Sequence, residues 1–217
     1  MTDFTVARRH MVDGQVRPND VTDLRVISAM LEVARERFVP PAASALAYLD
    51  LDLAVGEGAS RRLLKPMVLA KLINAADLSP TDRVLAVGCA TGYAAGVLAR
   101  IAGAVVALEQ DAGLAKTARA ALSSLPNVTV VSGPLVDGWP LAAPYDVILL
   151  EGATEVEPVT FCAQLKDGGR LLCVLGSPPG AKAMLYLRSG AEMGGRAIFD
   201  AAAAVLPGFV KPPVFAF

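Results

Sequence analysis

Histidine and cysteine are both scarce in this chain of 217 residues. The single histidine, His10, would have to serve any Ser-His-Asp triad, and a metal site built from several histidines cannot form. The three cysteines, Cys89, Cys162 and Cys173, stand singly, without the C-x-x-C spacing of zinc sites and without an even number for disulfides. We therefore predict no metal site, reduced cysteines that serve packing, and a structural, partly exposed His10.

Charge is also low, at 19% of residues, and the net charge is only -1. No run of Lys and Arg matches the phosphate backbone of a nucleic acid, and the pairs Arg8-Arg9 and Arg61-Arg62 are too small to do so. No apolar run reaches the roughly 18–20 uncharged residues of a membrane-spanning helix, and Met1–Arg9 carries charges instead of a signal-peptide core. We expect no nucleic-acid partner, no membrane partner and a cytoplasmic location.

Hydrophobic residues are abundant, at 54% of the chain. Such a composition favours a sheet that is buried on both faces. Single cores extend to about 200–250 residues, so we predict one domain over residues 1–217. The thin polar surface is compatible with a homo-oligomer.

The first eighty residues have a helical and irregular pattern. Thr22 or Asp20 can cap a helix that ends before Phe38 and whose apolar positions are Leu24, Ile27, Met30, Leu31 and Ala34. Residues 42–65 are a mixed segment, and Pro66 suits the first turn of another helix. The sequence therefore predicts an N-terminal helical extension over residues 1–80.

From Asp82 onward, strand, glycine turn and helix alternate. This rhythm predicts an α/β core over residues 81–217, with a mostly parallel sheet and right-handed crossovers. The predicted helices cover 93–101 and about 111–123. The predicted strands are 84–87, 105–108, 128–131, 145–150 and 170–175, with edge strands at 184–188 and near Phe215.

The turn after the first core strand is Gly88-Cys89-Ala90-Thr91-Gly92, and Glu109 ends the second strand. Open α/β sheets bind ligands at this turn, where small residues allow close approach to the backbone. A carboxylate at the position of Glu109 is placed to accept hydrogen bonds from a ribose diol. Tyr93 stands where the dinucleotide motif G-x-G-x-x-G needs its last small residue, which argues against a nicotinamide cofactor.

Longer stretches around these residues resemble the protein-L-isoaspartate O-methyltransferase family. The nucleotide loop is similar to the family pattern V-L-E-I-G-T-G-S-G-Y-x-A-A-x-L-A, and the tyrosine and paired alanines are its most diagnostic part. The similar segments are Val84–Ala99, Ala143–Ile148, Gln164–Leu171 and an N-terminal signature that includes Gln15-Val16-Arg17 and Arg35–Pro40. Together they cover most of residues 8–176 in order, while the last forty or so residues match poorly.

The resemblance implies a Rossmann-like class I methyltransferase fold with S-adenosyl-L-methionine as cofactor. The implied reaction esterifies the free α-carboxylate of L-isoaspartyl residues in damaged proteins or peptides. A carboxylate is already ionised near neutral pH, so its methylation needs alignment and desolvation more than a general base. The implied cofactor-binding residues are Gly88, Cys89, Ala90, Thr91, Gly92, Tyr93, Glu109, Gln110, Pro134, Leu135 and Glu151.

Three cofactor positions depart from the family pattern. The acidic residue before the loop is Ala86, the middle glycine is Ala90, and the acidic residue that would accept from the adenine amino group is Pro134. Each hydrogen bond lost to a charged group costs roughly 1.5–3 kcal/mol if nothing replaces it. These changes motivate a non-catalytic binding protein of the same fold as an alternative.

The substrate loop departs most. The family has G-x-G-Q-T-I-S-Q-P, whose hydroxyls hold the substrate carboxylate, and this chain has Gly58-Ala59-Ser60-Arg61-Arg62-Leu63-Leu64-Lys65-Pro66. Leu64 falls on the family serine, and Ser60 is the candidate to replace the threonine. Arg61, Arg62 or Lys65 could instead pair with a carboxylate, or be only solvated loop cations. The altered loop leaves open a small-molecule or other peptide substrate.

Overall fold

Helices form most of the N-terminal extension. They are α1 (Phe4–Met11), which continues into a π-helical turn at Val12–Val16, α2 (Leu24–Glu32) and α3 (Pro66–Ala76). The predicted helical extension is therefore confirmed, and His10 lies exposed on α1. The predicted caps Thr22 and Asp20 are wrong, because the Asp23 carboxylate accepts the Arg25 amide at 2.8 Å and begins α2.

A short antiparallel hairpin lies between α2 and α3, in the segment that the sequence left as mixed. Its strands are β1 (Leu53–Val55) and β2 (Arg61–Leu63), and Val55 pairs with Arg61. We call its described residues, 53–59 and 61–63, the flap. Successive side chains of a strand point to opposite faces, so Arg61 and Leu63 are buried while Arg62 is exposed.

Seven further strands form the central sheet of this computed structural model, which describes residues 3–59 and 61–212. The sheet has the order β5-β4-β3-β6-β7-β8-β9; the four pairings from β5 to β7 are parallel and the last two are antiparallel. The predicted α/β class is confirmed. The strands are β3 (Arg83–Val87), β4 (Ala104–Glu109), β5 (Val128–Ser132), β6 (Tyr145–Thr154), β7 (Leu165–Leu175), β8 (Lys182–Ser189) and β9 (Glu192–Asp200).

The central strands of the sheet are buried on both faces, as the composition predicts, whereas the residues of β5 and β9 at its two edges are half-buried or exposed. On β3, Val84 and Ala86 belong to one apolar cluster, together with the N-terminal helices, whereas Leu85 and Val87 belong to a second cluster on the other face. Burial of apolar area at about 25 cal/mol per Å² makes these central strands the main source of stability. It also fixes the register that carries Gly88 and Glu109 to one edge of the sheet.

Two core helices follow β3 and β4. They are α4 (Tyr93–Leu98) and α5 (Ala112–Ala121). α4 ends three residues before the predicted Ile101, because the Arg100 and Ile101 amides bond to carbonyls only three residues back. Over residues 3–59 and 61–212, we find no helix with the length and apolar character needed to cross a bilayer.

The C-terminal part of the chain returns to the sheet. β8 matches the predicted edge strand, and β9 extends the edge with an additional strand that the sequence reading missed. We call residues 201–212 the C-terminal segment. It runs beside the end of β6, where Ala153 donates to Ala204 O and accepts from Leu206 N, both at 2.8 Å. The strand predicted near Phe215 lies outside the described residues.

Candidate functional site

The nucleotide loop makes a tight turn after β3. Gly88, Ala90 and Gly92 all have positive φ, at 77°, 50° and 97°. Glycine adopts this region without strain, whereas an alanine there carries the steric cost of its Cβ. The turn is closed by the Gly92 amide, which donates to Cys89 O at 2.7 Å. The segment therefore forms the predicted turn after β3, with one strained alanine at its centre.

Glu109 lies at the carboxyl end of β4 and is completely buried. Its Oε1 accepts the amides of Gln110 at 3.0 Å and Asp111 at 3.1 Å, and its Oε2 accepts the Ala90 amide at 2.7 Å. Three backbone donors therefore hold the carboxylate against the nucleotide loop. The predicted juxtaposition of the loop with Glu109 is present in the structure.

Arg61 supplies the fourth contact to Glu109. Its Nη2 lies 3.0 Å from Oε2 of Glu109 and donates to Gly88 O at 2.6 Å. The side chain is only 5% exposed. The sequence reading left open that Arg61 pairs with a carboxylate or lies in solvent. It pairs with a carboxylate of its own chain, at the position expected for a ribose.

Leu206 of the C-terminal segment packs on the same glycine. A Cβ built on Gly88 would lie 2.7 Å from Nη2 of Arg61 and 2.9 Å from Cδ2 of Leu206. A Cβ on Gly152 would lie 2.7 Å from that same Leu206 atom, so Gly152 is needed for the segment to pass. The sequence predicts that the small residues of this loop allow a ligand to approach the backbone. In the structure, the side chains of Arg61 and Leu206 lie beside Gly88 instead.

Glu151 and Cys89 are buried beside this pair. Burial is the main cause that raises the pKa of the Glu151 carboxyl to about 8; Arg61 opposes the shift and Glu109 adds to it. Oε1 of Glu151 accepts no hydrogen bond from the described residues. Burial also raises the pKa of the Cys89 thiol well above its usual value, so Cys89 is a packing residue and no thiolate nucleophile.

The predicted cofactor residues differ in their exposure to solvent. Leu135 lies in the second apolar cluster with Leu206, and a Cβ on Gly88 would be 3.5 Å from its Cδ1. Thr91 donates its hydroxyl to Phe38 O at 2.5 Å. Gln110 and Pro134 are exposed, and the buried members are Gly88, Cys89, Ala90, Thr91, Gly92, Tyr93, Glu109, Leu135 and Glu151.

The two predicted catalytic positions do not form a hydroxyl pair. Leu64 packs in the main core and presents only its carbonyl to a polar group, the Nη2 of Arg35 at 2.9 Å. It cannot replace the family serine, because its side chain has no donor. Ser60 lies outside the described residues. Nearby, Arg62 is exposed on the outer face of the flap, and the Lys65 amide donates to the Asp52 carboxylate at 2.8 Å.

Sequence reasoning missed the roles of Arg35 and Leu206. Arg35 is fully buried, donates to Ala47 O and Leu64 O, and stacks over the Tyr93 ring at 4.6 Å. It thereby joins the helical extension to α4. The family signature contains Arg35 but gives no sign of a structural role, and Leu206 lies where the family resemblance is poor.

A cavity of about 760 Å³ opens next to the site. It lies between Phe38–Pro41, the flap at Val55–Glu57 and the first turns of α5, with Asp111 and Thr117 in its wall. Thr91 is the one predicted cofactor residue that lines it over the described part of the chain. This cavity therefore lies beside the predicted cofactor loop and meets it at Thr91.

The residues present fit an adenosyl cofactor only in part. The left-handed glycines and the strand-end carboxylate of Glu109 suit the ribose and the turn. Arg61 and Leu206 do not: Nη2 of Arg61 donates to Gly88 O at 2.6 Å, and a Cβ added at Gly88 would lie 2.9 Å from Cδ2 of Leu206. As arranged here, Arg61 occupies the Glu109 oxygen that a ribose hydroxyl would use.

Comparison with known proteins gives consistent matches. The model of the family described as Protein-L-isoaspartate(D-aspartate) O-methyltransferase (PCMT) matches residues 7–195. The Protein-L-isoaspartate O-methyltransferase of Pelotomaculum thermopropionicum is 43% identical over 171 residues, which are 78% of this chain and 74% of that protein. That of Methylorubrum populi is 41% identical over 194 residues, 88% of this chain and 89% of that protein.

Solved structures share the fold. A protein-L-isoaspartate O-methyltransferase superposes with a TM-score of 0.80 at 25% identity, over 93% of this chain and 66% of that one. A beta-aspartate methyltransferase (PCMT) from Plasmodium falciparum, solved in complex with S-adenosyl-L-homocysteine, has a TM-score of 0.76 at 16% identity, over 95% and 99%. The class I methyltransferase fold is therefore confirmed, and this chain belongs to the protein-L-isoaspartate(D-aspartate) O-methyltransferase family.

Proposed function

We propose that this chain is an S-adenosyl-L-methionine-dependent carboxyl methyltransferase that acts on L-isoaspartyl residues of damaged proteins or peptides. The observation that supports it best is the pairing of the nucleotide loop with Glu109, whose Oε2 accepts the Ala90 amide at 2.7 Å. Family membership over residues 7–195 supports the same conclusion.

The residues of the site suit a reaction that needs no general base. The methyl donor supplies an electrophilic methyl group, and a substrate carboxylate is already an ionised nucleophile near neutral pH. What the protein must provide is alignment and exclusion of water. The buried strand ends around Gly88, Glu109 and Glu151 provide a dry environment for this purpose.

The test is methyl transfer from labelled S-adenosyl-L-methionine to an isoaspartyl peptide, with the matching aspartyl peptide as control. We expect base-labile label only in the isoaspartyl peptide. A Glu109→Gln variant purified in the same way controls for methyltransferases of the expression host, and its rate should fall to background. Equal labelling of both peptides, or none of either, would reject this function.

A second candidate, a binding protein of the same fold without methyl transfer, is favoured by the contacts of Arg61 and Leu206 with Gly88. Calorimetry with S-adenosyl-L-homocysteine separates the two candidates. Micromolar affinity together with turnover supports the enzyme. Absence of binding at millimolar ligand supports the second candidate.

The remaining features of the proposal rest on the sequence. Isoaspartyl proteins or peptides as partners belong to the proposed function. A cytoplasmic location, a single domain over residues 1–217, a homo-oligomer and the absence of a nucleic-acid partner stay predictions. Sedimentation of the purified chain measures its oligomeric state directly.

A further inference from the structure

We propose that Arg61 and Leu206 form an internal plug in the cofactor site, and that the cofactor binds only when both side chains have left it. The plug therefore sets the affinity for the cofactor. This inference rests on the proposed function, because it concerns the site that such an enzyme uses.

The first argument concerns the acceptor sites of Glu109. Its Oε1 is occupied by the amides of Gln110 and Asp111, and its Oε2 by the Ala90 amide and Arg61. The three amides belong to the backbone of the loop and strand end, so they cannot leave without unfolding the turn. Arg61 is the one contact of Glu109 described here that a ribose hydroxyl can replace.

The second argument is that Arg61 is held less tightly than its partner. One nitrogen, Nη2, makes both of its hydrogen bonds, and Nε is buried without a partner among the described residues. A buried donor without a hydrogen-bond partner costs free energy, and this cost offsets part of the stabilisation from the ion pair. Release of Arg61 to solvent restores the hydration of that donor.

The third argument concerns the element that carries Arg61. The flap has two strands of three residues each, joined through Gly56 and Gly58, which both have positive φ. Leu53, Val55 and Leu63 anchor these strands in the main core, so release of Arg61 requires movement of its own side chain and not of the whole flap. The face of the flap that bears Arg61 packs on the site, while Arg62 on the opposite face is exposed.

The C-terminal segment holds the second half of the plug. Leu206 is 1% exposed, and its amide donates to Ala153 O. Beyond it, Phe209 stacks on Phe161 at 6.2 Å between ring centroids. The contact of Phe209 with Phe161 keeps the segment attached when the Leu206 side chain rotates out of the site. The side chain can therefore move without loss of the fold.

The experiment measures the affinity of S-adenosyl-L-homocysteine by calorimetry for the wild type and the Arg61→Ala, Arg61→Gln and Leu206→Ala variants. A binding-competent form that is populated at fraction f raises the apparent dissociation constant by 1/f, so removal of the plug tightens binding. We expect about tenfold or greater tightening for both Arg61 variants and a smaller gain for Leu206→Ala.

Matched controls are exposed residues of the same two types. Arg62→Ala changes the neighbouring cation on the outer face of the flap, and Leu141→Ala removes a leucine that is 85% exposed. Both should bind as the wild type does. Circular dichroism and the unfolding midpoint verify that each variant is folded, and Arg61→Gln retains side-chain volume in case Arg61→Ala does not fold.

The inference is overturned if folded Arg61 variants bind S-adenosyl-L-homocysteine no tighter than the wild type, including the case in which neither binds. Its failure can be told apart from failure of the proposed function. Wild-type turnover on isoaspartyl peptide with no gain in the Arg61 variants rejects the plug alone. Tighter binding in those variants without methyl transfer rejects the proposed function alone.

Discussion

The carboxyl ends of β3 and β4 keep the family pattern, whereas the two segments that cover them, the flap and the C-terminal segment, depart from it. At the strand ends, Gly88, Gly92 and Glu109 keep the backbone path and the carboxylate of the family pattern. In the covering segments, the flap presents Arg61 in place of hydroxyls and the C-terminal segment presents Leu206. The comparison teaches that the strand ends of a sheet can keep the geometry of a binding site while substitutions in the covering segments change which ligand the site can bind.

The physical basis of the difference is how each region is held. The strand ends belong to parallel strands whose side chains are buried on both faces, so their positions are fixed by packing. The covering segments are short and irregular, and they are held by buried side chains such as Val55, Leu63 and Leu206 and by single hydrogen bonds such as that from Leu206 N to Ala153 O. A substitution of a side chain that faces the strand ends therefore changes the site directly. The four changes below test this comparison, from the largest expected effect to the smallest.

Replacement of Glu109 by Gln should have the largest effect, because both carboxylate oxygens accept from buried donors and the amide nitrogen of Gln would face one of these pairs. We expect a loss of about 3–5 kcal/mol in the free energy of unfolding, measured by urea denaturation. Glu32→Gln is the control, since Glu32 forms a surface pair with Arg100, and such pairs contribute at most about 1 kcal/mol. Equal losses in the two variants would show that the buried Arg61–Glu109 pair contributes no more to stability than the surface pair does.

Leu206→Ala should come next, with a loss of about 2–5 kcal/mol, because it opens a cavity against Gly88 and Gly152. The measurement is the same urea transition, and Leu141→Ala should change the free energy little because that leucine is exposed. A loss below that of Leu141→Ala would mean that the C-terminal segment is not packed on the strand ends.

Glu151, on β6, should make the free energy of unfolding depend on pH. Its folded-state pKa of about 8 lies above the unfolded value of 4.5, so the native state binds the proton more tightly. The stability from this group is complete below the unfolded pKa and is lost as the pH rises through the folded pKa, at about 1.4 kcal/mol per pH unit at most. Denaturation of Glu151→Gln at several pH values should show a flatter profile than the wild type. A parallel profile would contradict the shift.

Ala90→Gly should have the smallest effect, and its sign should be stabilising. Relief of the left-handed alanine gains about 1–2 kcal/mol, and the greater freedom of glycine in the unfolded chain takes back about 0.4–1 kcal/mol. We expect a net gain of about 1 kcal/mol or less in the unfolding transition. Ala99→Gly is the control: Ala99 has the ordinary helical φ of -64°, so that variant should lose stability.

Much of the fold was predictable because its signals are local. Short apolar runs bounded by turn residues marked β3 to β7, and the loop and Glu109 followed from the order of strand, turn and strand. β1 and β2, of three residues each, were too short for periodicity to show, and the Arg61 partner lies 48 residues away along the chain. The poor family match after residue 176 left Leu206 without any signal.

The sequence by itself determined the mostly parallel sheet, the family, the glycine turn and the carboxylate at the end of β4, since each is marked by motifs of residues near one another in the chain. Only the tertiary structure decided that Arg61 points inward to Glu109, because a strand of three residues sends its side chains to alternate faces and the packed flap selects which face is inside. It also decided that Leu206 reaches Gly88, since residues 118 positions apart meet only when the C-terminal segment pairs with the end of β6.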